Sequence, residues 1–136
     1  MITPSIVFWC KDVDSSRITV LNEVCSKVTI FQLLENGLDE LKKNHYDAII
    51  VSSFFEKEEV LAFLIKVNKR YKNLPVLVAR EDYASREEFL KQGATDCFIN
   101  ELFRKEMILH VLNSSIRNAD VLRQKHESMV QLKRLE

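Results

Sequence analysis

Five short apolar segments, each followed by a segment of helical pattern, constrain the fold of this chain more than any other feature. The apolar segments are rich in β-branched and aromatic side chains, which is typical of strands buried on both faces of a sheet. They span residues 5–10, 28–33, 46–52, 76–79 and 96–100. Strands that alternate with helices pair in parallel, because each crossover returns the chain to the same edge of the sheet. The sequence therefore predicts an α/β domain built on one five-stranded parallel sheet.

Turn and capping residues separate these strands from the helices. Asp14 or Ser15 can cap a first helix, and Gly37 lies in a turn after the second strand. A third helical pattern ends before Pro75, and Ser85 is predicted to cap the fourth helix. The predicted architecture is the flavodoxin-like doubly wound sheet of strand order 2-1-3-4-5. In such sheets functional groups gather at the carboxyl ends of the strands.

Composition limits the domain count and the classes of function. The chain has 136 residues, 46% of them hydrophobic, which suits one domain with a single core. Twenty basic residues balance twenty acidic ones, so no overall field favours nucleic acid or an anionic membrane. Only two glycines and two prolines occur, which argues against a glycine-rich phosphate loop. No segment matches a signal peptide or a membrane span, and three widely spaced cysteines favour a reducing cytoplasm.

Three segments resemble the receiver domains of two-component response regulators. YDAIIVS at 46–52 resembles the family's third strand, LPVLVA at 74–79 its fourth strand, and FLKQGATDCFIN at 89–100 its fourth helix and fifth strand. Within the last segment, KQGATDCF echoes the family pattern xxGAxDyl and is the most specific match. The resemblance covers residues 5–117 and implies a CheY-like fold.

The resemblance also implies where the family's phosphorylation chemistry is located. Receivers bind a divalent cation with an acidic pair after the first strand and phosphorylate an aspartate after the third. The acidic pair falls here on Cys10 and Lys11, with Asp12 nearby, and the phosphoacceptor falls on Ser52. Serine cannot form an acyl phosphate, and one carboxylate beside an ammonium makes a poor magnesium site.

The residues that hold the phosphoryl group in receivers are replaced as well. The hydroxyl position after the fourth strand falls on Ala79 or Arg80, the switch aromatic on Cys97, and the lysine on Asn100. Phosphoryl oxygens need a hydroxyl donor and a cation, so these substitutions remove both. The sequence therefore predicts a pseudo-receiver with no catalytic residues, no metal and no cofactor.

The last helical pattern is longer than the resemblance requires. It runs from Lys105 to the end without proline or glycine, so residues 118–136 are predicted to form a helical extension of a domain at 1–117. A heptad trace and a second apolar stripe predict a weak homodimer. The residues expected at this dimer contact are Leu112, Ala119, Leu122, Met129 and Leu132. The extension resembles helices that join receivers to diguanylate cyclase domains; an exposed, frayed end is the alternative.

Taken together, these patterns predict a cytoplasmic signalling module that regulates an attached or partner effector through protein contacts. It is expected to bind neither nucleic acid nor membranes. A different class of function stays open, in which a small ligand occupies the degenerate pocket near Cys10, Ser52 and Arg80. Trp9 is predicted to belong to the core rather than to a ligand site.

Overall fold

The computed structural model describes residues 4–11, 15–52, 55–71, 73–99 and 103–135, with side chains described as far as residue 120. Its strands are β1 (Ser5–Trp9), β2 (Lys27–Phe31), β3 (Ala48–Val51), β4 (Val76–Arg80) and β5 (Asp96–Ile99). Its helices are α1 (Ser15–Val24), α2 (Glu40–Lys43), α3 (Lys57–Arg70), α4 (Arg86–Lys91) and α5 (Lys105–Leu135). The strands form one sheet of order β2-β1-β3-β4-β5 in which every pair is parallel. The predicted fold class and strand order are confirmed.

Strand side chains alternate between two buried clusters, one on each face of the sheet. Val7, Trp9, Ile49 and Val51 belong to the cluster that α2, α3 and α4 cover. The residues between them belong to the cluster under α1 and α5; they include Ile6, Phe8, Ala48 and Ile50. All four residues of β3 are buried because this strand lies at the centre of the sheet and both of its faces are covered.

Two local predictions were wrong in detail. The second strand was expected to extend to Leu33, but β2 ends at Phe31 and the Leu33 side chain is 50% exposed. The Leu33 carbonyl accepts a hydrogen bond from the Trp9 indole, which holds the chain away from the sheet at this point. Ser85 does precede α4, but its side chain makes no capping hydrogen bond.

Helix α5 is continuous over 31 residues, about 46 Å at 1.5 Å per residue. Its first part packs on the sheet, where Ile108 and Leu112 are fully buried and Ser115 is 5% exposed. Leu112 therefore cannot contribute to a dimer contact as predicted, because its position on the core-facing side of α5 places it inside the domain. Among the described residues no helix, α5 included, is both long and apolar enough to cross a bilayer.

The extension of α5 leaves the domain at the amino ends of the strands. Ala119 and Asp120 line an open cleft there, of about 550 Å³, together with Asp47 before β3 and Pro75 before β4. The side chains of Leu122, Met129 and Leu132 lie outside the described residues. Their predicted role in a dimer therefore stays a prediction.

Candidate functional site at the carboxyl edge of the sheet

Three small side chains lie side by side where the central strands end. Trp9 pairs with Val51 and Val51 pairs with Val78, so Cys10, Ser52 and Ala79 follow at the same level of the sheet. The Ser52 N–H donates to the Trp9 carbonyl at 2.8 Å, which continues the ladder by one residue. We call these three residues the edge row. The structure thus brings together three of the positions that the sequence marked.

The edge row is closed off from solvent. Cys10, Ser52 and Ala79 are each 0% exposed. Cys10 and Ala79 belong to the cluster under α1 and α5, which also contains Phe103 from the segment after β5. This side of the carboxyl edge is therefore apolar and filled, whereas a cation site needs exposed oxygen ligands.

An aromatic group surrounds Phe103 and explains the closure. The centre of the Phe103 ring lies 6.1 Å from that of the Phe8 ring and 5.9 Å from that of the Phe98 ring. The guanidinium carbon of Arg17 lies 5.6 Å from the centre of the Phe103 ring, within the range of a cation–π contact. Phe103 was not among the site residues predicted from the sequence. An aromatic residue soon after the end of a strand was the feature that could have indicated it.

The Ser52 hydroxyl is buried and finds no hydrogen-bond partner among the described residues. A buried hydroxyl without a partner costs about 1–3 kcal/mol. The same absence of a partner means that no described base contacts this oxygen, as nucleophilic catalysis by serine would require.

The acidic-pair positions contain no described carboxylate. Cys10 is a buried thiol and Lys11 is an exposed ammonium, while Asp12 and Asn100 lie outside the described residues. Within the described ranges, no three acidic, histidine or cysteine side chains are grouped closely enough to hold a metal ion.

Arg80 connects β4 to two neighbouring segments. Its Nη1 donates to the Phe55 carbonyl at 2.7 Å, and its guanidinium carbon lies 5.3 Å from the centre of the Phe89 ring in α4. Arg80 was predicted to lie near a degenerate pocket or at a hydroxyl position. The structure instead uses its planar fork to tie the segment after β3 to α4.

Cys97 lies on the other face of the sheet from the edge row. It is 2% exposed and packs in the cluster under α2, α3 and α4. Burial raises the pKa of the Cys97 thiol, against the opposing effect of the nearby Arg80 charge. Burial, with a smaller contribution from Asp47, also raises the pKa of Cys25 to about 11. Both thiols therefore stay protonated at neutral pH, which makes them poor nucleophiles.

A cleft of about 380 Å³ opens beside the edge row, between α3 and the segment after β2. We call it the α3 cleft. Leu33, Leu34, Phe55 and Phe63 form its apolar walls, and Lys11 is one of the charged residues at its rim. This cleft was not predicted from the sequence, because its walls come from segments far apart in the chain. The apolar pair at Leu33 and Leu34 was assigned to the second strand and its neighbourhood instead.

Comparison with known proteins gives structural matches alone. No protein-family model matches the chain, and no curated protein sequence does. NtrX from Brucella abortus superposes with a TM-score of 0.78 at 14% identity, over 93% of this chain and 29% of NtrX. A CheY-like response regulator receiver domain protein from Methanospirillum hungatei superposes with a TM-score of 0.72 at 17% identity, over 88% and 98% of the two chains. The fold is that of a receiver domain.

A further receiver structure is informative because of its state. The beryllofluoride-activated NtrC4 receiver domain, solved as a dimer, superposes with a TM-score of 0.73 at 13% identity, over 85% of this chain and 98% of that one. At these identities the likeness establishes the fold alone. The roles assigned to Ser52 and the other receiver positions therefore stay predictions.

Proposed function

We propose that this chain is a receiver-like signalling module that is not phosphorylated and that acts through protein contacts. The observation that carries the proposal is the closed edge row: a buried serine lies between a buried thiol and a buried alanine. A divalent cation needs oxygen ligands, and the three side chains of the edge row offer it no carboxylate and no exposed oxygen. The row likewise contains no acceptor carboxylate and no cation of its own to hold a phosphoryl group. In this proposal the module has no catalytic activity of its own.

The proposal predicts that phosphoryl analogues do not bind. Adding magnesium and beryllofluoride, or acetyl phosphate, to the ¹⁵N-labelled chain should leave the amide resonances of Cys10, Lys11 and Ser52 unchanged. The reason is that both the acceptor carboxylate and the acidic pair are replaced. The NtrC4 receiver domain, which has been solved in its beryllofluoride-activated form, serves as the positive control under the same conditions. Saturable, magnesium-dependent shifts at these three residues would overturn the proposal.

The second element of the proposal is self-association through the extension of α5, with a parallel pair of helices joining two modules to an effector. Support comes from the continuity of α5 beyond the domain and from the sequence trace through Ala119, Leu122, Met129 and Leu132. Burying one leucine or methionine contributes about 1.5–3 kcal/mol, so a few of them can hold a weak dimer. The effector we propose is an attached catalytic domain such as a diguanylate cyclase, or a separate partner in the cytoplasm.

Truncation after Arg117 tests this element. The truncated chain should be folded and monomeric, because the buried residues of α5 up to Ser115 remain, while the full chain should dimerise at high micromolar concentration. Sedimentation velocity measures both. In the full chain, Leu122→Asp with Met129→Asp should abolish the dimer, whereas Gln124→Asp with Gln131→Asp should preserve it. The control adds the same charge at heptad positions away from the proposed seam. A monomeric full chain would contradict the dimer.

The alternative function, a ligand held among Cys10, Ser52 and Arg80, has less support. Cys10 and Ser52 are fully buried, and Arg80 is bonded to the Phe55 carbonyl. A ligand at that point would have to displace the aromatic group around Phe103. The described cavity at this edge is the α3 cleft, which lies beside the degenerate pocket and not within it.

A further inference from the structure

The α3 cleft has the dimensions and the position of a small-molecule site. Its volume of about 380 Å³ falls within the range of about 300–1,000 Å³ that is usual for such sites. It lies at the carboxyl edge of the sheet, next to the switch point between β1 and β3, where open α/β sheets bind ligands. Leu33, on its wall, is a large apolar side chain that is 50% exposed.

The wall formed by the segment after β2 is held in place without a ligand. The Trp9 indole nitrogen lies 3.1 Å from the Leu33 carbonyl oxygen and 3.0 Å from the Asn36 carbonyl oxygen, so one buried N–H donor is shared by two carbonyls of this segment. Phe31 stacks on the indole with ring centres 5.5 Å apart. Gly37 has φ +92°, and an added Cβ there would lie 2.6 Å from the Phe31 ring. A preformed wall lowers the ordering cost of binding.

The rim of the cleft carries balanced charge. Lys11 and Lys66 supply two ammonium groups, and Glu35 and Glu59 supply two carboxylates. Within the described part of the chain, none of these four exposed side chains takes part in an ion pair. A phosphate or another multiply charged anion would meet both carboxylates. A molecule with an apolar body can pack against the apolar walls. A zwitterionic or neutral head on that molecule can contact the ammonium groups and the carboxylates of the rim without net repulsion.

The cleft is also connected to α4. Phe55 lines the cleft, and its carbonyl accepts the 2.7 Å hydrogen bond from Arg80. The Arg80 guanidinium in turn lies over Phe89, which is fully buried in α4. If a bound molecule displaces Phe55, the hydrogen bond from Arg80 to the Phe55 carbonyl changes, and with it the contact of the Arg80 guanidinium with Phe89 in α4.

We propose that the α3 cleft binds a small amphipathic molecule of no net charge, with an aromatic or branched apolar body, and that Phe55 and Arg80 transmit its binding to α4. This goes beyond the proposed signalling role and is independent of whether the chain can be phosphorylated. It would add an input site that does not depend on phosphorylation.

Four probes with a common indole body test the proposal on the ¹⁵N-labelled full chain. They are L-tryptophan (zwitterion), indole (neutral), tryptamine (cation) and indole-3-acetate (anion). Tryptophan and indole should produce saturable shifts of the amides of residues 33–36 and 55–66. Tryptophan should bind up to about fivefold more tightly than either ion, as the strength of exposed ion pairs implies. If none of the four probes produces saturable shifts at millimolar concentration, the proposal is wrong.

Two variants on α3 locate the site. Ala62 is exposed on the wall of the cleft, whereas Ile65 is 41% exposed and does not line it. Ala62→Arg should fill the cleft and weaken tryptophan binding at least about tenfold, a loss of about 1.4 kcal/mol. Ile65→Arg, which adds the same side chain on the same helix, should leave binding unchanged. Equal affinities for the two variants would overturn the assignment of the cleft.

A third variant separates binding from transmission. Arg80→Met keeps an unbranched side chain against Phe89 but removes the donor to the Phe55 carbonyl. In the parent chain, transmission predicts that tryptophan also shifts the amides of Phe89 and its neighbours in α4. In Arg80→Met the shifts at residues 33–36 should persist, but those in α4 should disappear. If the α4 amides respond as before, the Phe55 and Arg80 connection does not carry the signal.

Discussion

Replacing Ser52 with aspartate is expected to lower the free energy of unfolding at pH 7 by about 3–5 kcal/mol, the usual cost of a buried charge without a partner. Ser52 is 0% exposed, and no described donor reaches its hydroxyl oxygen. The substitution places a carboxylate at the position that is predicted to match the acceptor of receivers, without the acidic pair or the lysine that would accompany it there. Magnesium should not recover the lost stability. Urea unfolding followed by far-UV circular dichroism measures the loss.

Ser52→Ala is the matched control. It removes the buried hydroxyl without adding charge or volume, so the free energy of unfolding should stay within about 1 kcal/mol of the parent value or rise. If the free energy of unfolding of Ser52→Asp falls by less than about 1 kcal/mol, a cation such as the Arg17 guanidinium must reach the introduced carboxylate. That result would contradict the description of this edge as closed and apolar.

The pH dependence of the aspartate variant provides an independent readout. Burial disfavours the charged form, so the pKa of the introduced carboxyl should be higher in the folded than in the unfolded state. Between the two pKa values the folded state then binds more protons than the unfolded state. The difference in free energy of unfolding between Ser52→Asp and the parent chain should therefore narrow as the pH falls through the folded-state pKa. In the interval between the two pKa values the narrowing should approach about 1.4 kcal/mol per pH unit. A difference that does not vary between pH 7 and pH 4 would exclude a buried carboxylate.

Replacing Trp9 with alanine is expected to reduce the free energy of unfolding by about 3–5 kcal/mol. Trp9 is fully buried, stacks on Phe31 and meets Phe63 edge-on with ring centres 4.8 Å apart. The substitution leaves a cavity between the sheet and α3 and removes the indole donor from the segment after β2. Urea unfolding followed by circular dichroism is required, because Trp9 is the only tryptophan and its fluorescence is lost with it.

Trp9→Phe distinguishes the two contributions. Phenylalanine keeps most of the ring contact but cannot donate to the Leu33 and Asn36 carbonyls. The free energy of unfolding should therefore fall by about 1–3 kcal/mol, less than in Trp9→Ala. Because the wall of the α3 cleft rests on this donor, tryptophan binding should weaken in Trp9→Phe although the fold persists. If Trp9→Phe is as stable as the parent chain, the indole hydrogen bonds contribute nothing to the wall.

Short-range patterns in the chain were enough to predict the architecture. The apolar, β-branched segments form strands close to the predicted bounds, because continuous apolar runs of this length are typical of strands buried on both faces. Parallel pairing followed from the crossovers, and the order 2-1-3-4-5 was predicted as that of the flavodoxin-like fold. The predicted replacement of the receiver family's acidic group at Cys10, its acceptor at Ser52 and its hydroxyl at Ala79 or Arg80 rests on residue identity alone and needed no tertiary structure.

What only the tertiary structure decided are the contacts between segments distant in sequence. Leu112 fits a heptad trace, but the packing of α5 on the sheet places it in the core, and periodicity cannot tell a dimer seam from a domain-facing stripe. The closure around Phe103 and the link from Phe55 through Arg80 to Phe89 depend on which segments the sheet brings together. The α3 cleft exists because Trp9 holds the segment after β2 away from α3 at a distance that no local pattern encodes.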